Sequence, residues 1–513
     1  MGDSLFPEMG RAAAVVPRRP VEAREELVRN LDRQNPWWEG KPLPIIPAFN
    51  RWPFPKLWQR LEHPIAPIDV VRGPRQIGKT TLQLQLIQSL LRQGVAPQRI
   101  LRVQFDELPT LVNARFEEPI LRIIDWFEQT VLRATLNESA HRGEPVFLFF
   151  DEVQNLKHWD VQLKSLVDHA TVRVMVTGSS ALRIEMGRDS LAGRINSLEV
   201  GPLRLAEIAA LRGFGDLKPM QPDSSWPDWL RTEFWRELAA YANSQSAVLA
   251  QAFSAFSERG AYPLAQKSTD VPWEDVAGQL NETIVKRVIE HDLRIGERGR
   301  RRDPQLLEEV FRMGCRYVGQ SPNPATLAEE ARRTLNANVG AQRVQHYLNF
   351  LDGSLLLRNI EPLEIRLKKR HGYSKLCLCD HAIRAAWLQE VVPLDVATLD
   401  QVPHLTALAG RIAESTVGYF FASLTGLGVT HLPERHGQPE VDFILTIGER
   451  RIPVEVKYCR ALDERADTAG LRTFIEKTVN NAPFGLLVTR EDTAPVADPR
   501  IITVPLPALL IVR

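Results

Sequence analysis

The stretch Val71-Arg72-Gly73-Pro74-Arg75-Gln76-Ile77-Gly78-Lys79-Thr80-Thr81 constrains this chain more than any other. A mostly apolar run, Ile65 to Val71, precedes it, and a helical pattern, Leu82 to Leu91, follows. Strand, glycine-bounded loop, Lys-Thr and helix, in that order, make a phosphate cradle. Gly73 and Gly78 let the backbone curl until successive N–H groups point at one anion. Pro74, Arg75, Gln76, Ile77 and Thr81 complete the expected contact with a nucleotide. Lys79 adds a point charge on the outer phosphates, and the Thr80 hydroxyl is placed to ligate Mg²⁺. A helix starting near Gly78 brings unpaired N–H groups and a positive dipole end to the same place. ATP and Mg²⁺ are therefore the expected cofactors.

A nucleotide loop needs acidic partners, and the sequence supplies them. Val146-Phe147-Leu148-Phe149-Phe150-Asp151-Glu152 is an unbroken apolar run ending in two carboxylates, the pattern of a fully buried parallel strand. Open α/β sheets place their chemistry at the carboxyl ends of strands. Asp151 is expected to hold the Mg²⁺ shell, and Glu152 to orient or deprotonate the attacking water. A further buried run, Val172 to Val176, ends in Thr177-Gly178-Ser179-Ser180, where Ser179 either approaches the γ-phosphate or caps the next helix. Arg194, in Ser190-Leu191-Ala192-Gly193-Arg194, is a candidate for stabilising phosphoryl charge in its own or a neighbouring subunit.

With 513 residues the chain has room for three or four domains. Its 64 Lys+Arg against 63 Asp+Glu leave no global charge to attract nucleic acid, so any such contact must come from local patches. No apolar run is long enough to span a bilayer. The four cysteines do not make a disulfide framework, and a reduced, cytoplasmic protein is expected.

Before the loop, Val21 to Leu31 reads as an amphipathic helix, and Trp37-Trp38 as an anchor packed on the core. Beyond the core, Pro202 to Val285 is mostly helical and reads as a lid or adaptor. It leads to a basic loop, Arg294 to Arg302. Pro304 to Leu388 then shows three helical segments followed by two strand patterns, the order of a winged helix. Arg343 on the third helix, with Lys368, Lys369 and Arg370 around a Gly372 turn, forms a candidate DNA surface.

The last part carries a second constellation. Glu440 to Leu445 and Ile452 to Tyr458 read as strands joined by the turn Ile447 to Arg450. That turn places Asp442 opposite Glu455, and Glu455 and Lys457 share one face. Two carboxylates and an amine then converge, with Glu414 adding a carboxylate from the preceding helix. Such a set can hold a divalent metal and stabilise a phosphorane.

Taken together, the loop, the Asp151-Glu152 strand, Thr177 to Ser180, Ser190 to Arg194 and Asn35-Pro36-Trp37-Trp38 resemble a prokaryotic AAA-type ATPase family. Its members join this core to a C-terminal domain similar to PD-(D/E)xK nucleases. Asp442, Glu455 and Lys457 match that motif, although no proline precedes Asp442. With the residue patterns above, the resemblance leads to an expected α/β fold with five parts: an N-terminal arm (1–50), a P-loop AAA-type ATPase core (51–204), a helical lid or adaptor (205–302), a winged-helix domain (303–395) and a PD-(D/E)xK nuclease-like α/β domain (396–513). The basic wing and the nuclease resemblance together lead to the expectation of ATP hydrolysis coupled to work on duplex or branched DNA, with Mg²⁺-dependent cleavage in the last domain. The alternative is a nucleotide-gated switch whose nuclease-like domain is a non-catalytic scaffold. Either a homo-oligomer or a monomer accords with the sequence.

Overall fold

The apolar runs of the first half assemble into a five-stranded parallel sheet, ordered β2-β3-β4-β1-β5. The strands are β1 (Ile68–Arg72), β2 (Ile100–Gln104), β3 (Phe147–Asp151), β4 (Arg173–Gly178) and β5 (Ile195–Glu199). This computed structural model describes residues 20–108, 117–178, 190–220, 226–292, 303–364, 372–434, 437, 439–491 and 496–512. β3 is buried along its whole length, as its uninterrupted apolar sequence requires of a strand covered on both faces. One face of the sheet, with Val71, Phe149 and Met175, packs on Leu82, Leu86 and Leu90 of the helix Lys79–Arg92. The other face, with Val70, Leu148 and Val174, packs on Ile120, Phe127 and Leu163.

Edge strand β2 is closed by side chains rather than by another strand. Asn35 accepts from the Arg102 N–H (2.7 Å) and donates to the Arg102 carbonyl (2.8 Å), imitating a neighbouring backbone. Trp37 and Trp38 both donate to the Ile100 carbonyl, at 3.1 and 2.9 Å. The arm thus satisfies edge groups that would otherwise invite pairing with another chain. The tryptophans are structural anchors.

Between β2 and β3 the helix that starts at Pro119 stops at Phe127, the chain passes through a wide turn at Glu128–Leu132, and a second helix starts at Leu136. Arg133 adopts φ 55°, and Thr135 forms a capping box with Glu138, so the chain ends one helix and starts another. Strand β5 has no apolar run to announce it: Ile195-Asn196-Ser197-Leu198-Glu199 lies at the sheet edge and needs few buried side chains.

Beyond the sheet, helices between Leu205 and Leu280 lead to three more, Pro304–Arg316, Pro324–Leu335 and Ala341–Gly353. A two-stranded antiparallel ribbon follows, β6 (Leu357–Ile360) with β7 (Lys375–Leu378). The final part begins with the helix Thr406–Ala422. It continues into a mixed sheet ordered β12-β11-β10-β9-β8, formed by β8 (Gly428–Leu432), β9 (Val441–Ile447), β10 (Arg450–Lys457), β11 (Gly485–Thr489) and β12 (Ile501–Pro505). A single apolar cluster runs from Val71 and Leu86 through Trp229 and Phe311 to Phe443 and Val454, so these parts share one interior. Among the described residues, no helix is long and apolar enough to cross a membrane.

Candidate functional site

The loop after β1 is built by close approach as much as by unusual dihedrals. A Cβ on Gly73 would meet the Val200 carbonyl oxygen at 2.1 Å, because the loop leaves β1 pressed against the chain leaving β5. Gly78 sits at φ 90° as the N-cap of Lys79–Arg92, a conformation that favours glycine. Gln76 also takes positive φ, so the backbone turns twice between Gly73 and Lys79. Lys79 is 5% exposed, and its ammonium donates to the Gly73 (3.0 Å) and Pro74 (2.7 Å) carbonyls of its own loop. The cradle is tight, cationic and opens at a helix N-terminus, so its residues fit a nucleotide polyphosphate.

Thr80 and Asp151, 71 residues apart, meet: the Thr80 hydroxyl donates to Asp151 Oδ2 at 2.6 Å. β4 lies between β1 and β3, and Thr177 on β4 donates to Asp151 Oδ1, holding the carboxylate from its other side. Arg102 of β2 stands 3.5 Å from Asp151 Oδ2. This hydroxyl–carboxylate pair is the donor set that a Mg²⁺ ion would use in such a loop. Glu152, next in sequence, has φ 52° and is hydrogen-bonded by Gln154.

Sequence reasoning missed Arg51. It is 3% exposed; its guanidinium bonds Glu207 Oε1 (2.8 Å), the Ile77 carbonyl in the loop and the Gly201 carbonyl (2.9 Å). Arg51 lies in an irregular proline-containing connection, so no periodicity or motif marks it. Arg194, a candidate for phosphoryl charge in its own or a neighbouring subunit, pairs with Asp168 of its own chain at 2.5 and 3.0 Å. Ser179 and the basic residues Lys368, Lys369 and Arg370 lie outside the described residues. Arg343 is exposed on Ala341–Gly353 beside Gln342 and His346, with Asp303 3.7 Å from its guanidinium.

The C-terminal constellation assembles differently from expectation. The β9–β10 register pairs Ile447 with Arg450 and Val454 with Phe443, which carries Asp442 opposite Glu455 as expected. Glu414 also arrives. Yet the third carboxylate gathered with Glu414 and Asp442 is Glu440, whose ligand atom lies within 4.8 Å of theirs. At their centre stands Lys375, the first residue of β7, which the sequence reading overlooked. Its ammonium contacts Glu414, Asp442 Oδ1 (2.9 Å) and Glu440 Oε1 (3.0 Å) and is 1% exposed. Glu455 pairs with Lys457 at 2.9 Å.

Burial alone would lower the Lys375 pKa, but the charges of Asp442, Glu414 and Glu440 hold it well above its ordinary value. Burial and the Asp442 charge push Glu455 up to about 8. A divalent ion does not fit the Glu414–Glu440–Asp442 cluster while an ammonium fills its centre.

Residues 66–209 match the family model of an AAA domain, and residues 251–392 match a domain of unknown function, DUF8612. The first match and the loop geometry identify a P-loop ATPase core; the second ends before the C-terminal sheet. An uncharacterised protein of Methanocaldococcus jannaschii is 24% identical over 73% of this chain and 71% of its own length. An uncharacterised protein of Haemophilus influenzae is 24% identical over 60% of this chain and 65% of its own length, so the chain spans just under two thirds of that relative. Among solved structures, the Walker-type ATPase of Pyrococcus abyssi aligns with a TM-score of 0.37 and 15% identity, covering 68% of this chain and 99% of that one.

Proposed function

We propose that this chain hydrolyses ATP and uses the cycle to act on DNA. The observation that carries the ATPase reading is the Thr80–Asp151 hydrogen bond beside the Lys79 loop, which joins the first turn of the helix Lys79–Arg92 to the end of β3 in one Mg²⁺-compatible donor set. On this reading, the loop N–H groups and Lys79 orient the triphosphate. Mg²⁺, held through Thr80 and Asp151, would neutralise charge on the phosphate oxygens. Glu152 accepts a hydrogen bond from the attacking water, aligning it with the γ-phosphorus; ADP and phosphate leave. Thr177 and Arg102 hold Asp151 in place.

The DNA part rests on three helices followed by a ribbon, read as a winged helix, with Gln342, Arg343 and His346 exposed along the third helix. The C-terminal helix and sheet, read as a nuclease-like domain, would supply a second nucleic-acid surface. A route between the two halves exists: Arg72, the residue before Gly73, and Arg358 of β6 both bond Glu199 of β5. On this reading, that shared contact would pass a movement of the loop to the ribbon.

DNA affinity across a salt series, with ATP turnover measured with and without DNA, tests this reading. Affinity should fall steeply with salt, and Arg343→Ala should reduce the slope of log K on log salt by about 1. Affinity without salt dependence, or none for any DNA form, would remove the DNA part. Wild type that never turns over ATP would remove the rest.

A second reading is favoured by one observation: Lys375 already occupies the centre of the C-terminal carboxylates. There the protein is a nucleotide-gated switch, and the C-terminal domain binds without cleaving. Unchanged ATP turnover on adding DNA, with no nicking in Mg²⁺ or Mn²⁺, would select it.

A further inference from the structure

Three carboxylates within 4.8 Å of one another can share one divalent ion, and Glu414, Glu440 and Asp442 are so placed. Lys375 takes that centre instead, with its ammonium touching all three. Mg²⁺ or Mn²⁺ binds carboxylate oxygens at roughly 2.1 Å. An ion reaching these oxygens would therefore stand inside the contact distance of the ammonium, and two cations cannot occupy that volume together. Glu455, 8% exposed, lies against the same cluster. One of its oxygens bonds Lys457, while the buried Oε2 has no hydrogen-bond partner among the described residues. Lys375 and Lys457 thus leave acceptor capacity unmet at this place, which a doubly charged ion with bound water would use.

The cation in the cluster also comes from outside the C-terminal domain. Lys375 begins β7, 39 residues before Glu414 and 67 before Asp442. Its ribbon is tied to the ATPase sheet through Arg358 and Glu199, the latter also holding Arg72 at the mouth of the nucleotide loop. The ribbon also bonds the C-terminal part, through Leu378 to Ser415 and through Leu363 and Tyr373 to His431 of β8, so the ammonium leaves the cluster by a swing of the Lys375 side chain or by a ribbon shift that opens these contacts.

We propose that the carboxylate cluster is an exchangeable cation site: Lys375 fills it in this conformation, and a divalent metal ion enters only when that lysine is displaced. The exchange deepens the nuclease-like reading of this domain, yet it is a statement about binding and can be measured without any cleavage.

Mn²⁺ is the probe, titrated into the full chain by calorimetry and followed by electron paramagnetic resonance. Lys375→Met should bind one additional Mn²⁺, or bind it at least about tenfold more tightly than wild type, because a like charge has left the site. Lys375→Arg, which keeps the cation, should behave as wild type. Adding Asp442→Asn to the Met variant should abolish the gain, placing the ion in this cluster rather than at the nucleotide loop. A Met variant that binds no tighter than wild type, or a gain that survives Asp442→Asn, overturns the proposal.

Wild type provides a readout independent of how the variants fold. Reductive methylation of Lys375, followed by mass spectrometry, should be slow without metal and rise with Mn²⁺ concentration; a labelling rate indifferent to Mn²⁺ overturns the exchange. If the Met variant gains the ion and nicks no DNA, the exchange stands and the nuclease-like reading falls. If it gains no ion, the exchange fails whatever the DNA result.

Discussion

The buried pair Arg51–Glu207 joins the segment before the core to the helix Leu205–Arg212, and a double-mutant cycle can measure what it contributes. Their side chains are 3% and 5% exposed and 2.8 Å apart. Removing one partner of a buried pair costs about 3–5 kcal/mol, because the other charge is left uncompensated. Glu207 keeps hydrogen bonds from the Trp52 N–H (2.7 Å) and the Arg204 N–H (2.8 Å), and Arg51 keeps the Ile77 and Gly201 carbonyls. Each single change, Arg51→Met or Glu207→Gln, should then fall at the lower end, about 3 kcal/mol. The double variant buries no lone charge and should also cost about 3 kcal/mol, giving a coupling energy of roughly 3 kcal/mol. Urea midpoints followed by tryptophan fluorescence provide the measurement. Arg51 also holds the Ile77 carbonyl, so Arg51→Met should raise KM for ATP on the order of tenfold, the value of one charge-assisted hydrogen bond. Additive single effects would show that the two residues do not act as a pair, and an unchanged KM would show that Arg51 does not position the loop.

Further outcomes follow from other contacts. Lys79→Ala should lower ATP turnover on the order of a hundredfold or more while circular dichroism stays unchanged, since it removes the charge assigned to the phosphates and, within the fold, bonds to the loop carbonyls of Gly73 and Pro74; turnover near wild type would reject the assigned role. Asn35→Ala strips hydrogen bonds from both the N–H and the carbonyl of buried Arg102 and should cost about 2–4 kcal/mol in urea unfolding, with added aggregation through the uncovered β2 edge. Asp69 is pushed up to about 6 by burial, which Arg60 at 3.2 Å only partly offsets. The folded state then holds this proton more tightly than the unfolded chain, whose carboxyl titrates near 3.8. Its contribution to stability is therefore lost as pH rises from about 4 to 6. Asp69→Asn should be more stable than wild type at pH 7, by at most about 2–3 kcal/mol, with the advantage vanishing near pH 4; an advantage that grows on acidification would contradict the sign.

The legible parts of this protein are those whose chemistry is written in neighbouring residues. Gly73 to Thr80 is contiguous, and a loop of that kind can close only one way between a strand and a helix. Asp151 and Glu152 end a run so apolar that it had to be a central strand, and the Asp442–Glu455 register came from the length of one turn. The identity of the cation between the carboxylates was not readable in this way. Lys375 has ordinary neighbours, Ser374 and Leu376, and reaches Glu414 and Asp442 only because the ribbon packs against the C-terminal helix and sheet. Arg51 likewise finds Glu207 across 156 residues of chain. Sequence by itself determined a nucleotide loop, its acidic partners and a carboxylate-bearing hairpin, because local geometry dictates them. Only the tertiary structure decided what neutralises those carboxylates, because a buried charge takes whichever opposite charge packing brings within reach, however distant along the chain.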